Sequence, residues 1–167
     1  MADVNTLKTN LGLPPISQIG VVVRDVEKAA QYYSSLLGIG PFTIYEFRPE
    51  SDLYNGEKMK GVRLKMGKAM WNNMEVELIE PMEGRSPHMD WLKQRGEGVQ
   101  HFGFNVPNFD EVCTRFLQQG FSPILKGESY VETYKGNLKA CYFDTDKVIG
   151  VIFEVIWKSW LPECQAT

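Results

Sequence analysis

Two stretches of the chain carry the same hydrophobic pattern. Ile16-Ser17-Gln18-Ile19-Gly20-Val21-Val22-Val23 and Val99-Gln100-His101-Phe102-Gly103-Phe104-Asn105-Val106 are largely apolar, and each holds a polar residue followed two positions later by a glycine. Laying His101 on Gln18 brings Phe102 onto Ile19, Gly103 onto Gly20, Phe104 onto Val21 and Val106 onto Val23. Runs of β-branched and aromatic residues this short predict strands covered on both faces. Each run leads into a turn, Arg24-Asp25 or Pro107-Asn108, and then into a pattern of helical period. Self-similarity of this kind marks an internal duplication.

Taken in order, residues 1–15 lack any period, end in Pro14-Pro15 and predict an arm with no face to bury. After the strand over 16–23, Asp25 predicts the cap of a helix with its body over 28–37 and Gly38 and Gly40 at its end. Ala29, Tyr32, Tyr33, Leu36 and Leu37 are its expected apolar face. Strands are predicted over 42–47, 62–66 and 74–80, joined by a long polar loop over 48–60 and a shorter one over 67–73. Residues 82–98 read as a connector containing a short helix, capped by Ser86 with Pro87 in its first turn. The order then repeats: strand 99–106, helix 110–119, and strands 121–126, 138–144 and 150–157, before a tail over 159–167. Each half, 16–81 and 99–158, therefore reads β-α-β-β-β. Neither has core enough to stand alone. The predicted fold class is α+β: two tandem βαβββ modules pairing into one curved mixed sheet around a cavity, as a single domain.

The strand period of two places Gln18, Gly20 and Val22 on one face of the first strand. It places His101, Gly103 and Asn105 on the matching face of the fifth. A glycine two residues beyond a polar side chain leaves room beside it. The last strands of the halves also correspond, with Val76-Glu77-Leu78-Ile79 lying over Phe153-Glu154-Val155-Ile156. Both set a carboxylate inside an apolar strand, where an ionised group needs a partner. Gln18, Glu77, His101 and Glu154 are thus expected to converge on one cavity. Together they offer an O, O, N, O ligand set for one divalent metal ion (Zn, Co, Ni, Mn or Mg), with positions left for water or substrate. Glu75 shares the face of Glu77 and is a further candidate. Glu80 falls on the opposite face and is expected in solvent. His88, in the polar connector, receives no role.

Bulk properties narrow the partners. The 167 residues suit one ordinary domain, and a net charge of −3 offers no electrostatic footprint for nucleic acid. No apolar run reaches the length of a membrane span, and residues 1–10 do not read as a signal peptide. Cys113, Cys141 and Cys164 are odd in number and widely spaced, so they predict neither a disulfide framework nor a zinc motif. Reduced thiols of a cytoplasmic protein are the expectation.

From residue 16 to residue 157 the chain resembles the vicinal oxygen chelate superfamily of glyoxalase I, methylmalonyl-CoA epimerase, extradiol dioxygenases and antibiotic-resistance proteins. The resemblance rests on Ile16-Ser17-Gln18-Ile19-Gly20-Val21-Val22-Val23-Arg24-Asp25-Val26-Glu27-Lys28-Ala29, Val76-Glu77-Leu78-Ile79-Glu80-Pro81, Gly96-Glu97-Gly98-Val99-Gln100-His101-Phe102 and Gly150-Val151-Ile152-Phe153-Glu154. It is closest to the epimerase-like and glyoxalase I-like proteins. It implies metal positions at Gln18, Glu77, His101 and Glu154, a small-molecule substrate and a homodimer. The implied activity is that of a metal-dependent lyase or isomerase, abstracting a proton next to a carbonyl by way of an enediolate. Glu154 would be the base, and Glu77 a ligand that also moves a proton. Four departures stand out. Epimerases typically have histidine where Gln18 stands and often glutamine where Glu77 stands. Their additional acid/base glutamate precedes a Gly-Val pair, and Met59 and Lys60 precede Gly61-Val62 here. The chain has Asp144-Thr145-Asp146-Lys147 where glyoxalases commonly carry Asp-Pro-Asp-Gly. Two alternatives remain open: an extradiol-type dioxygenase, whose two-histidine, one-carboxylate triad Gln18 would break, and a binding protein holding an aromatic or antibiotic ligand without catalysis, walled by Phe42, Tyr45, Phe47, Tyr54 and Trp71.

Overall fold

The two echoing strands, β1 (Gln18–Val22) and β7 (Gly98–Asn105), lie side by side and antiparallel in the computed structural model, which describes residues 10–49 and 52–162. On its outer side each runs parallel to the last strand of its own half, β6 (Met74–Glu83) or β10 (Ile152–Lys158). Beyond β6 come β5 (Arg63–Trp71) and β2 (Thr43–Phe47). Beyond β10 come β9 (Gly136–Phe143), β8 (Pro123–Val131) and a small hairpin of β3 (Leu53–Tyr54) and β4 (Glu57–Lys58). The result is one curled sheet in the order β2-β5-β6-β1-β7-β10-β9-β8-β3-β4, an α+β architecture.

Among the described residues four α-helices accompany the sheet: α1 (Val26–Leu37), α2 (Pro87–Arg95), α3 (Phe109–Gln118) and the single turn α4 (Asp146–Ile149). Asp25 accepts a hydrogen bond from the Lys28 N–H, and Gly38 closes α1 in the left-handed conformation (φ 67°). Ser86 caps α2 through the Met89 N–H. The convex face of the sheet is covered by α1 and α3. One core forms where Val26 and Ala30 meet Val21, Val23, Ala69, Val76 and Leu78. The other forms where Val112 and Phe116 meet Phe104, Val106, Cys141, Phe143 and Val155.

Several expectations need correction. Tyr32, Leu36 and Leu37 are exposed, because the buried stripe of α1 runs through Val26, Ala29, Ala30 and Tyr33 instead. The arm does bury a face where it is described: Leu11 and Leu13 pack on the core beneath α3. Residues 1–9, and residues 163–167 of the predicted tail with Cys164, lie outside the described residues. The stretch expected as a loop over 48–60 contains the β3–β4 hairpin. Asn55 (φ 52°) and Gly56 (φ 82°) form its turn, with the paired positive angles that an Asn-Gly turn adopts readily. Leu53 and Tyr54 pair with Lys126 and Leu125 of β8, so a segment of the first repeat completes the sheet edge of the second. Gly127 makes the docking possible, since a Cβ there would lie 2.7 Å from the Asp52 carboxylate. The predicted connection over 67–73 shortens to the turn between β5 and β6, and β5 runs on to Trp71. This places Lys68 in the sheet, opposite Glu77.

Candidate metal centre and its cavity

The concave face of the curled sheet encloses a cavity of ≈ 950 Å³. This is ample for a small-molecule substrate. Gln18, Glu77 and Glu154 line it, and His101 lies buried against both glutamates. The duplication explains how they meet. In the β1–β7 pairing Gln18 sits opposite Gly103 and Gly20 sits opposite His101. A Cβ on Gly20 would lie 1.9 Å from the His101 ring, and a Cβ on Gly103 would lie 2.7 Å from Gln18 Oε1. Each glycine therefore vacates the space occupied by the other repeat's polar side chain. The parallel neighbours β6 and β10 then carry Glu77 and Glu154 in from either side.

His101 Nε2 lies 3.6 Å from Glu77 Oε2 and 3.3 Å from Glu154 Oε2. These approaches are not aligned as hydrogen bonds at His101 Nε2 or Glu154 Oε2. Those two atoms and Gln18 Oε1 are three of the five buried side-chain atoms without a hydrogen-bond partner among the described residues. The tautomer of His101 follows from its neighbours. Gln100 Nε2 donates to the Pro87 carbonyl (3.0 Å), which turns Gln100 Oε1 toward two imidazoles. His88 Nδ1 approaches that oxygen at 2.7 Å and His101 Nδ1 at 3.3 Å, and an amide oxygen only accepts. Both rings thus carry hydrogen on Nδ1, which leaves Nε2 as the His101 ring atom that faces the two carboxylates. An imidazole nitrogen and two carboxylates then lie together, with the Gln18 amide on the adjoining strand of the same cavity wall. Such a set calls for a cation. The 3.3 and 3.6 Å separations fall within the roughly 3–4 Å between ligand atoms bonded at about 2.1 Å to a common ion. The donor types are those of a divalent-metal site, but Glu77, His101 and Glu154 do not bring one ligand atom each within 4.8 Å of one another, so a shared ion would have to draw the two carboxylates together.

Electrostatics separates the two glutamates. Burial raises the Glu77 carboxyl, but the Lys68 ammonium, 2.8 Å away, and His101 together outweigh it and hold Glu77 well below the usual carboxylate range. Burial pushes Glu154 up to about 7, opposed by His101 and, less strongly, Lys68, and reinforced by the charge of Glu77. Burial disfavours the Lys68 charge, yet Glu77 and Glu75 keep its pKa well above the ordinary lysine value. His88 is pushed down to about 4, chiefly by burial.

A scan against family models finds a match to the Glyoxalase/Bleomycin resistance protein/Dioxygenase superfamily over residues 17–142. The chain belongs to this superfamily. Among solved structures, the methylmalonyl-CoA epimerase of Mycobacterium tuberculosis aligns with a TM-score of 0.63 at 19% identity, over 93% of each chain. The methylmalonyl-CoA epimerase of Streptomyces coelicolor in complex with 2-nitronate-propionyl-CoA gives a TM-score of 0.64 at 21% identity, over 87% of this chain and 98% of that one. A hypothetical protein from Bacillus halodurans gives 0.64 at 17% identity, over 85% and 92%. These likenesses establish a shared fold. No curated protein sequence matches.

Within this superfamily member, three residues matter that sequence reasoning passed over or ranked low. Lys68 was hidden in an expected loop. His88 is buried and orients Gln100. Glu75 accepts from Gln18 Nε2 at 2.7 Å. Glu80 is not idle in solvent, for it accepts from the Val26 N–H at the start of α1. It lies near Asp25 and Glu27 in a second acidic group, whose members already serve the helix end and Lys65. Of the aromatics expected to wall the cavity, Tyr45 and Phe47 do so. Phe42 packs beside the core under α1, Tyr54 donates to Asp90, and Trp71 lines a separate shallow hollow. Among the described residues no helix is long and apolar enough to cross a membrane.

Proposed function

We propose that this protein is a metal-dependent lyase or isomerase that moves a proton on the carbon next to a carbonyl, with Gln18, Glu77, His101 and Glu154 holding one divalent ion. The observation that carries this reading is the gathering of an imidazole, an amide and two carboxylates, three of the four with unpartnered buried atoms, at the wall of a substrate-sized cavity. Charge supports it. With Glu75, Glu77 and Glu154 ionised and Lys68 protonated, these four groups hold two more negative than positive charges, which one divalent ion would balance. Such an ion, when bound, supplies positive charge beside the carbonyl oxygen as that oxygen becomes negative.

The chain's own groups divide the remaining work. Glu154 is the base, by its place on the last strand of the second repeat: burial raises its carboxyl to about 7 in the metal-free chain, and a bound ion would bring it down from there. Glu77, kept ionised by Lys68, suits a holding role better than a proton-carrying one. Two carboxylates driven apart in pKa by their surroundings are a recurring mark of separate roles. Met59, which stands before the Gly61-Val62 pair, is buried in the apolar part of the concave face and supplies no second acid or base. The sum favours one carboxyl that both removes and returns the proton, as in transfer to a neighbouring carbon. Substrate would lie with its carbonyl toward Glu154 and its remainder along Phe47, Met66, Leu125 and Ile156.

The test is hydrogen exchange in heavy water. Metal-loaded protein should wash deuterium into the α-carbon of a thioester or α-hydroxycarbonyl compound, and chelator should stop it. Absence of exchange across such a panel would leave the binding-protein reading in front.

A further inference from the structure

We propose that Lys68 is the positioning residue for the first-repeat half of this centre, and that it acts with Glu75 as one unit. The inference rests on the divalent-ion reading above. Nothing in the backbone of β1 or β6 dictates which way the side-chain oxygens of Gln18 and Glu77 turn. A chain of contacts does. Gln18 Nε2 donates to Glu75 Oε1 at 2.7 Å, and Lys68 Nζ approaches that same oxygen at 3.2 Å. Lys68 Nζ also holds Glu77 Oε1 at 2.8 Å. The amide donor of Gln18 is thereby used on Glu75, which leaves Gln18 Oε1 for the centre. One oxygen of Glu77 is tied down, which leaves Glu77 Oε2 facing His101. The second-repeat half is held independently, by Gln100 on His101.

Lys68 is not an ordinary surface lysine. It stands opposite Glu77 in the β5–β6 pairing, and its side chain is only 27% exposed. Glu75 and Glu77 share one face two residues apart, with side chains 22% and 7% exposed. Without an ammonium between them, two poorly solvated carboxylates would repel and turn apart. The ammonium also draws charge from Glu77, which taken alone weakens the bond of Glu77 to a cation. Its grip on Oε1, away from the centre, makes orientation the larger effect.

The experiment is calorimetric titration of metal-free protein with a single divalent ion, zinc or cobalt. Wild type, K68M, K68R, E75Q and the K68M/E75Q double variant are compared, each with a thermal melt. Loss of an outer partner of a metal ligand typically weakens binding 10–100-fold, and both K68M and E75Q should show a loss of about that size. K68R, which keeps the cation, should bind more tightly than K68M. Because the two residues form one chain of contacts, the double variant should bind no more weakly than the worse single one. Should K68M fail to fold, isosteric E75Q carries the measurement. Wild-type or tighter binding by K68M, losses that multiply in the double variant, or K68R no better than K68M would each overturn the proposal. Wild-type protein that binds no divalent ion would overturn it together with the metal reading; binding by wild type with K68M unaffected would overturn this inference alone.

Discussion

Replacing Gly20 with alanine should empty the centre without unfolding the protein. The new Cβ would stand 1.9 Å from His101 Cε1 and 2.1 Å from Nε2, whereas ordinary contact begins at 3.4 Å. The ring must retreat by about 1.5 Å, several times the ~0.2 Å tolerance of a metal–ligand bond. It has little freedom to adapt, because Nδ1 faces Gln100 and the Tyr142 ring centroid lies 4.8 Å away. Gly20 has no left-handed backbone angle, so the cost comes from crowding alone. Overpacking of this kind costs about 1–3 kcal/mol. In a chain of this size each kcal/mol lowers the melting temperature by roughly 2–4 °C. G20A should therefore melt roughly 2–12 °C below wild type, stay folded at 25 °C, and bind a divalent ion at least ~10-fold more weakly. Calorimetry and metal titration read both quantities. A folded G20A with wild-type metal affinity would refute the claim that Gly20 exists to admit a ligating His101.

Further outcomes follow from the same geometry. His88, buried with a pKa of about 4, binds no proton in the folded state until well below its unfolded value near 6.5. Stability is therefore complete above pH 6.5 and is lost as pH falls toward 4, by about 3 kcal/mol from this group. H88N, which keeps a donor for Gln100, should lose that much less between pH 7.5 and 4 in urea unfolding, and an unchanged pH dependence would argue against a buried neutral His88. E154Q should abolish α-proton exchange while E77Q retains weak exchange; the reverse order would exchange the roles of the two glutamates. We expect a homodimer, given the exposed apolar Ile44, Met70 and Trp71 along and beside edge strand β2; a monomer at micromolar concentration by sedimentation would contradict it.

The duplication was legible because strand residues at equivalent places in two copies repeat in type. Aligning Gln18 with His101 and Glu77 with Glu154 needed no knowledge of packing. The sequence also signalled a role for Gly20 and Gly103, but not that each serves the opposite repeat, since that depends on the antiparallel register of β1 and β7. The β3–β4 hairpin escaped notice because its strands have two residues each, although Asn55-Gly56 marked its turn. Lys68 could not be linked to Glu77 before β5 was known to reach Trp71, because the partnership is one of register and not of spacing. His88 looked like a solvent residue within a polar stretch. Its burial depends on how α2 packs against β6, β1 and β7, a tertiary fact with no local pattern.

The most direct measurement is the metal stoichiometry of purified protein, taken by elemental analysis after equilibration with a divalent ion, for wild type and H101A side by side. His101 supplies the one nitrogen of the set, and its removal leaves Gln18, Glu77 and Glu154 with no imidazole to complete them. The account predicts one ion per chain in wild type, and in H101A a binding loss of orders of magnitude in a protein that still folds. A wild-type chain that holds no ion, or an H101A chain that holds one as tightly as wild type, would contradict it.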